Sequence, residues 1–311
     1  MELIRNLAQL HPRHRGCVAT IGNFDGVHLG HQTVMRQLTA KAKDLHLPTV
    51  VILFEPQPQE FFAPESAPAR LTRLREKISV IRHNEMDRVL CVRFHATFAA
   101  LSAEHFIQQV LVQGLGIRHL VVGDDFRFGY KRQGDFALLQ EAGKQYGFSV
   151  ETQQTFILGG ERVSSTRVRQ ALEQGNMQLA SELLGRPYTL CGRIRHGEQR
   201  GRLLGFPTAN IFLHRQVSPL LGVFAVYLHG ITKQPIVGVA NLGTRPTVDG
   251  SQLLLEVHLF DFQKTIYGHT VKVEFVRKLR DEQRFASFDA LKQQIQMDVQ
   301  TAKAIFLNST Q

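Results

Sequence analysis

Hydrophobic positions follow two different rhythms along this chain, and the change between them divides it. Over residues 1–185, apolar runs at 17–22, 49–54, 88–92, 118–123 and 148–155 read as strands. Helical patterns lie between them, near 31–45, 70–84, 102–114 and 135–146, and a further one covers 167–184. In the first of these, Val34, Leu38, Ala42 and Leu45 recur at helical spacing. Strands alternating with helices predict an α/β architecture, a parallel sheet flanked by helices. From Pro187 the runs become short and β-rich, at 188–195, 222–229, 235–241, 253–260 and 270–277, separated by Gly, Pro and polar turns. A helical tail from Phe288 to Phe306 sets Leu291, Ile295, Val299, Ala302 and Phe306 on one side. That pattern predicts an antiparallel β-barrel closed by a C-terminal helix. The boundary falls at Gly185-Arg186-Pro187, a glycine stop followed by proline, giving domains 1–185 and 186–311.

At 311 residues the chain is long for one core, which agrees with two domains. No apolar stretch approaches the length of a membrane span, and Met1-Glu2-Leu3-Ile4-Arg5-Asn6 lacks a secretory apolar region. Cys17, Cys91 and Cys191 are odd in number, far apart and without metal-ligand spacing, which points to a reducing cytoplasm and away from a disulfide framework or structural zinc. The net charge of +10 calls for a negatively charged partner. Residues 1–185 hold 21 basic and 18 acidic side chains, residues 186–311 hold 16 and 9, so both domains suit phosphate chemistry. No helix-turn-helix, zinc finger, RNP-like motif or long basic block is present, which leaves nucleic acid as the lesser reading.

The most informative segment is Gly22-Asn23-Phe24-Asp25-Gly26-Val27-His28-Leu29-Gly30-His31. It follows the apolar run Cys17–Ile21 and precedes the first helix, so the two histidines sit where a strand turns into a helix N-terminus. Unpaired N–H groups and the positive end of the helix dipole attract phosphate there. Spaced i and i+3, His28 and His31 share a helix face and can meet one anion, and Gly30 lets that anion approach the backbone. Gly22, Phe24 and Gly30 are the accompanying ATP- or phosphate-binding candidates. No third metal ligand accompanies the histidines, which therefore read as phosphate-directed groups.

Two later segments have double readings. Val121–Gly129 ends a strand in a Gly/Asp-rich loop with Asp125, Phe126 and Phe128, suited either to stacking on a planar ring or to filling the core. Ser164, Ser165, Thr166 and Arg169 open a helix, where hydroxyls cap the backbone and can also hold pyrophosphate.

The histidine segment resembles the HxGH signature of the nucleotidyltransferase superfamily. All three segments, in order, resemble the N-terminal module of bacterial bifunctional riboflavin kinase/FAD synthetases, with Val163 where Ile is usual. The resemblance implies a Rossmann-like nucleotidyltransferase domain that joins FMN to AMP from ATP, giving FAD and pyrophosphate. It also implies that Phe54, Pro56 and Phe62 line a flavin pocket together with Asp125, Phe126 and Phe128. His28, His31 and Arg169 become the catalytic candidates. An FMN phosphate is already ionised, so alignment and charge stabilisation suffice for the transfer.

The second domain carries a Gly- and Arg-rich segment from Gly192 to Asn210, including Gly201, Arg202 and Gly205. Taken alone it is either a turn between strands or a loop that wraps nucleotide phosphates. Thr208 and Asn210 offer hard oxygen ligands suited to Mg²⁺. Gly205-Phe206-Pro207-Thr208-Ala209-Asn210 resembles the PTAN signature of riboflavin kinases, and Gly238–Thr247, Leu255–Leu259, Tyr267-Gly268 and Leu279–Phe285 continue the likeness. It implies an ATP site at Gly201, Arg202, Gly205, Thr208 and Asn210, Mg²⁺ on the last two, and flavin contacts from Arg280, Glu282 and Phe285. It further implies Glu256 as the base that takes the proton of the ribityl hydroxyl. By strand alternation Glu256 shares a face with Leu254 and His258.

The expectation is an enzyme that converts riboflavin to FMN and FMN to FAD with Mg²⁺ and ATP, the flavins being substrates and products. The alternatives are an adenylyltransferase for pantetheine phosphate or nicotinamide mononucleotide, which leaves residues 187–311 unexplained, and a basic RNA-binding module on the same fold.

Overall fold

All five apolar runs of the first domain are strands in the computed structural model, which describes residues 1–197, 205–215, 217–247 and 250–308. They are β2 (Cys17–Ile21), β3 (Thr49–Glu55), β4 (Arg88–Arg93), β5 (Ile117–Val122) and β6 (Ser149–Thr152). A short β1 (Glu2–Ile4), too brief for its pattern to show, pairs with β4. The order is β1-β4-β3-β2-β5-β6, with every pairing parallel. Helices cover both faces, which is why the central strands read as unbroken apolar runs. Helices α1 (Leu29–Leu45) and α3 (Leu74–His83) bury Val34, Met35, Leu38 and Ile81 against Val18, Val51 and Val89. On the other face, Phe106, Ile107, Val110, Leu111 and Leu139 meet Ala19, Ile52 and Leu120. Short α2 (Pro58–Phe62) and α4 (Ala96–Ala99) follow β3 and β4.

Three sequence expectations change in detail. The helix expected over 102–114 is α5 (Ala103–Phe106) running into a π-helix, Ile107–Gly114, whose end has the Leu115 N–H donating to the Val110 carbonyl at 3.0 Å. The helix expected over 70–84 begins only at Leu74. The single helix expected over 167–184 is two, α7 (Ser165–Glu173) and α8 (Met177–Leu184), after α6 (Phe136–Tyr146). Gly175, at φ +71°, breaks the pattern, and Asn176 caps the new start by accepting the Leu179 N–H at 3.0 Å. A small hairpin, β7 (Ile157–Leu158) and β8 (Glu161–Arg162), turns through Gly159 and Gly160.

The chain divides into two compact units, Met1–Pro68 with Thr72–Val163, and Ala69–Leu71 with Ser164–Gln311. The second therefore begins ahead of Gly185, because α7 and α8 pack with the strands C-terminal to them. A Cβ on Gly175 would stand 2.3 Å from the Lys278 side chain.

In that second unit, β9 (Thr189–Arg195), β10 (Thr208–Phe212), β11 (Gly222–His229), β12 (Ile236–Thr247), β13 (Gly250–Leu259) and β14 (Thr270–Arg280) close a barrel in the order β10-β13-β12-β11-β14-β9. Its neighbours are antiparallel throughout. Ile194, Ile211, Phe224, Leu242, Leu255, Val257 and Val273 are buried at alternate positions, which is how a small barrel fills its interior. Outside, α9 (Phe288–Asn308) buries Ala302 and Phe306 against Val223, Ala225, Val239 and Phe260. β10 is the strand absent from the sequence reading, which placed the Pro-Thr-Ala-Asn core in a loop.

Candidate active sites

In the first unit the strand order reverses at β2, where β3 and β5 lie on opposite sides, and ligands of open parallel sheets bind outside such a point. The loop Gly22–His28 leaves β2 there. Phe24 (φ +46°), Gly26 (φ +81°) and Val27 (φ +43°) all adopt left-handed backbone, an uncommon conformation for a β-branched residue. Buried partners hold that conformation. Asp25, 3 % exposed, accepts from the Thr72 N–H at 3.0 Å and its hydroxyl at 3.2 Å. The Thr72 hydroxyl oxygen in turn accepts the Gly26 N–H at 3.0 Å, and Lys77, fully buried, donates to the Asn23 carbonyl.

His28 caps α1, its Nδ1 accepting the His31 N–H at 3.4 Å, which leaves the neutral ring's hydrogen on Nε2. The His28 and His31 rings stack with centroids 3.6 Å apart and planes 19° apart. The i, i+3 spacing thus brings the two imidazoles together at the helix start. Gly30 makes this possible: a Cβ there would lie 3.1 Å from His28 Cε1 and Nδ1 and 3.2 Å from the Val163 carbonyl oxygen. Phe24 is buried in the core and packs on His31 at 4.9 Å.

Beside this loop lies a cleft of about 610 Å³ lined by Gly22, Phe54, Phe62, Phe94, Phe98, Asp125, Phe126 and Phe128, among others. Phe62 is 66 % exposed at its rim, whereas Phe128 is buried and Phe126 stacks on it at 5.5 Å. These two rings of the Val121–Gly129 segment pack on the core on one side and line the cleft on the other. Pro56, exposed, is not among the lining residues. Phe94, Phe98, Leu101 and Phe106 were missed, although an aromatic pair just past the end of β4 was a usable signal.

Ser164, Ser165, Thr166 and Arg169 belong to the second unit. Ser164 caps α7 through the Arg167 N–H at 3.2 Å, and Arg169 Nε donates to the Ala69 carbonyl at 2.7 Å.

The second unit has its own cleft, about 420 Å³, between the outer face of the barrel and α9. Register sets its floor. Asn210, itself not among the lining residues, stands opposite Glu256, which stands opposite Asn241, while Thr208 and Val239 flank His258 in the same way. Leu255, Val257 and Leu259 point inward, so Glu256 and His258 point out into the cleft. A Cβ on Gly197 would meet the Asn210 carboxamide at 2.4 Å, so the chain makes room for that side chain. Val239, Phe285, Leu291 and Ile295 supply apolar wall. Glu282 also lines the cleft and accepts from Asn241 Nδ2 at 3.4 Å.

Arg280 lines it as well, but its guanidinium is engaged with Asp298 of α9. Nε donates to Asp298 Oδ1 at 3.0 Å, Nη2 to Oδ2 at 2.8 Å, and Nη1 to the Asp281 carbonyl at 3.0 Å. Asp298 was missed because it is separated from Arg280 in sequence and sits on what reads as a plain amphipathic helix. Gly201 and Arg202 lie outside the described residues; Gly205, at φ +86°, leads into Phe206 and β10. Among the described residues, no three His, Cys, Asp or Glu side chains form a metal-holding group.

Comparison with known proteins also divides the chain in two, the first match running past Val163 to take in the start of α7. The FAD synthetase family model matches residues 10–167 and the riboflavin kinase model residues 184–306. A bifunctional riboflavin kinase/FMN adenylyltransferase of Haemophilus influenzae is 54 % identical over 98 % of this chain and 99 % of its own. The protein of the same description from Escherichia coli K12 is 53 % identical over 98 % of each. A crystal structure described as a macrolide-efflux protein from Streptococcus pneumoniae superposes with a TM-score of 0.80 at 31 % identity, covering 95 % of this chain and 96 % of that one. Among the described residues of the present chain, no helix is long and apolar enough to cross a membrane. Both family models and full-length relatives coincide, and the chain belongs to the bifunctional riboflavin kinase/FMN adenylyltransferase family.

Proposed function

We propose that this chain phosphorylates riboflavin to FMN in its second unit and adenylylates FMN to FAD in its first. The observation that carries the reading is that each family match falls on a region with its own cleft, one beside the stacked histidines and one beside Glu256. An acceptor such as pantetheine phosphate or nicotinamide mononucleotide would leave the second cleft without a role, and an RNA-binding module would leave both.

In the kinase step, the flavin ring occupies the apolar wall of Val239, Phe285, Leu291 and Ile295. Glu256 accepts the proton of the ribityl hydroxyl as that oxygen attacks the γ-phosphate of ATP and ADP departs. The Thr208 hydroxyl and Asn210 carboxamide oxygens, on the strand facing Glu256, fit a hard cation and would hold Mg²⁺, which supplies charge stabilisation to the phosphates. Arg280, held by Asp298, stands at the flavin end of this cleft and braces it.

In the adenylyl step the FMN phosphate is the nucleophile and pyrophosphate the leaving group. His28, His31 and the N-terminal N–H groups of α1 stabilise charge on the transferring phosphate. The aromatic cleft of Phe54, Phe62, Phe126 and Phe128 takes the flavin ring. Incubation with riboflavin, ATP and Mg²⁺, with flavins separated by chromatography, tests both steps. FMN followed by FAD is expected; flavin left unchanged would overturn the reading.

A further inference from the structure

Glu256 has a neighbour on its own strand face to which no role has been given. His258 stands two residues along β13, directly opposite Thr208 of β10, and its Nδ1 lies 2.9 Å from the Pro207 carbonyl oxygen. A carbonyl oxygen only accepts, so Nδ1 is the protonated nitrogen and donates. Two rings hold the imidazole in that orientation. Phe206 meets it edge-on at 5.4 Å and 83°, and Phe260 at 6.0 Å and 62°.

Pro207 has no backbone N–H, so its carbonyl is the one main-chain group by which this residue can be tied down. It immediately precedes Thr208, and Gly205 just before it takes left-handed backbone. The ladder with β13 begins at Thr208, so Pro207, one residue earlier, is fastened by a side chain from the neighbouring strand.

We propose that His258 is a positioning residue for phosphoryl transfer: by holding the Pro207 carbonyl it sets how Thr208, at the start of β10, stands relative to Glu256. The inference rests on the kinase reading of the second unit. His258 need touch neither phosphate nor the attacking hydroxyl. Its Nδ1–H holds the residue that leads into Thr208, on the face where Glu256 waits.

The test compares His258→Asn, His258→Gln and His258→Leu in the full chain. All three remove the ring and its packing. Asn alone returns an N–H donor close to the position of Nδ1; the Gln amide reaches past it, and Leu offers none. Riboflavin phosphorylation is measured with ATP and riboflavin varied separately. His258→Asn is expected within about threefold of the parent in kcat/KM for ATP, and the Gln and Leu variants roughly tenfold or more below it, the size of one lost hydrogen bond. FMN adenylylation by the same preparations, unchanged, shows that the first unit is intact. Equal activity in all three variants, or Gln at least as active as Asn, overturns the proposal.

A second measurement needs no turnover. In ¹⁵N-histidine-labelled protein, the resonances missing from His258→Asn should be those of an Nδ1-protonated ring, and an Nε2-protonated neutral ring there would also overturn it. Glu256→Gln separates the two claims. If it phosphorylates riboflavin normally, the kinase reading of the cleft fails, while the tautomer result still judges His258.

Discussion

Substituting Gly30 by alanine should separate stability from catalysis in the first unit. Position 30 lies in the first turn of α1, where alanine is favoured over glycine by up to about 1 kcal/mol. Against that gain, the new methyl would sit 3.1 Å from two atoms of the His28 ring and 3.2 Å from the Val163 carbonyl oxygen. The carbonyl is backbone and yields little, so the imidazole shifts by a few tenths of an ångström. That shift is small for packing and should cost about what the helix gains. The expected melting temperature is therefore within about 3 °C of the parent, the equivalent of roughly 1 kcal/mol in a unit of this size. Catalysis is less forgiving, because His28 is stacked on His31 and displacing one ring re-aims the other. Misplacement of aligned groups by about 1 Å can cost roughly 10²-fold, so a smaller shift should lower FAD formation about tenfold. The assay is FMN and ATP to FAD, with riboflavin phosphorylation as an internal control. Full adenylyl transfer by the folded variant would refute the claim that the stacked histidines require glycine between them.

Asp298→Ala should leave Arg280 uncompensated in a largely buried site, cost about 3 kcal/mol in the second unit and raise KM for riboflavin; calorimetry and initial rates read both. Arg280→Lys should fail to restore the parent, since an ammonium cannot reproduce the paired contacts with Asp298. Burial holds the His119 imidazole below its ordinary value near 6.5, with Glu151 opposing and Lys41 adding to the effect. The unfolded chain then takes up a proton that the folded one resists, so this contribution is complete above about pH 6.5 and is lost as pH falls from there through the lower folded value. Melting curves should show a shallower acid decline in His119→Gln. Burial also pushes the Cys17 thiol up to about 12, so iodoacetamide at neutral pH should modify the half-buried Cys191 well before Cys17, as peptide mapping would show. A fragment of residues 164–311 should phosphorylate riboflavin and melt at a higher temperature than 186–311, because α7 and α8 pack with the barrel.

Much of the fold was legible because burial leaves a direct trace. Strands covered on both faces must be apolar throughout, and Cys17–Ile21 and Val50–Leu53 show it. β10 was hidden because its inward residues are small or few: Ala209 and Ile211 alternate with Thr208, Asn210 and Phe212, next to glycines and a proline that signal a turn. The break between α7 and α8 was readable in Gly175-Asn176, a stop followed by a cap, but the apolar spacing continues across it. The pairing of His28 with His31 was suggested by their i, i+3 spacing, but the stacking also needs His28 as an extended N-cap and the missing side chain of Gly30. The clamp of Asp25 by Thr72, the buried Lys77 and the reach of Asp298 to Arg280 join positions that only tertiary packing brings together, and no local pattern records them.

The central claim is that two independent sites act in sequence on one flavin, and a crossed pair of variants tests it most directly. His28→Ala with His31→Ala removes the two groups proposed to stabilise charge in the first unit, and losing even one such donor costs roughly 10²–10³ in rate. That protein should still convert riboflavin to FMN and make almost no FAD. Glu256→Gln keeps the size of the side chain but cannot accept a proton, an effect of roughly 10²–10⁴. It should scarcely phosphorylate riboflavin, yet turn supplied FMN into FAD at the parent rate. Loss of both activities in either folded variant, or unchanged FAD synthesis in the histidine pair, would contradict the account.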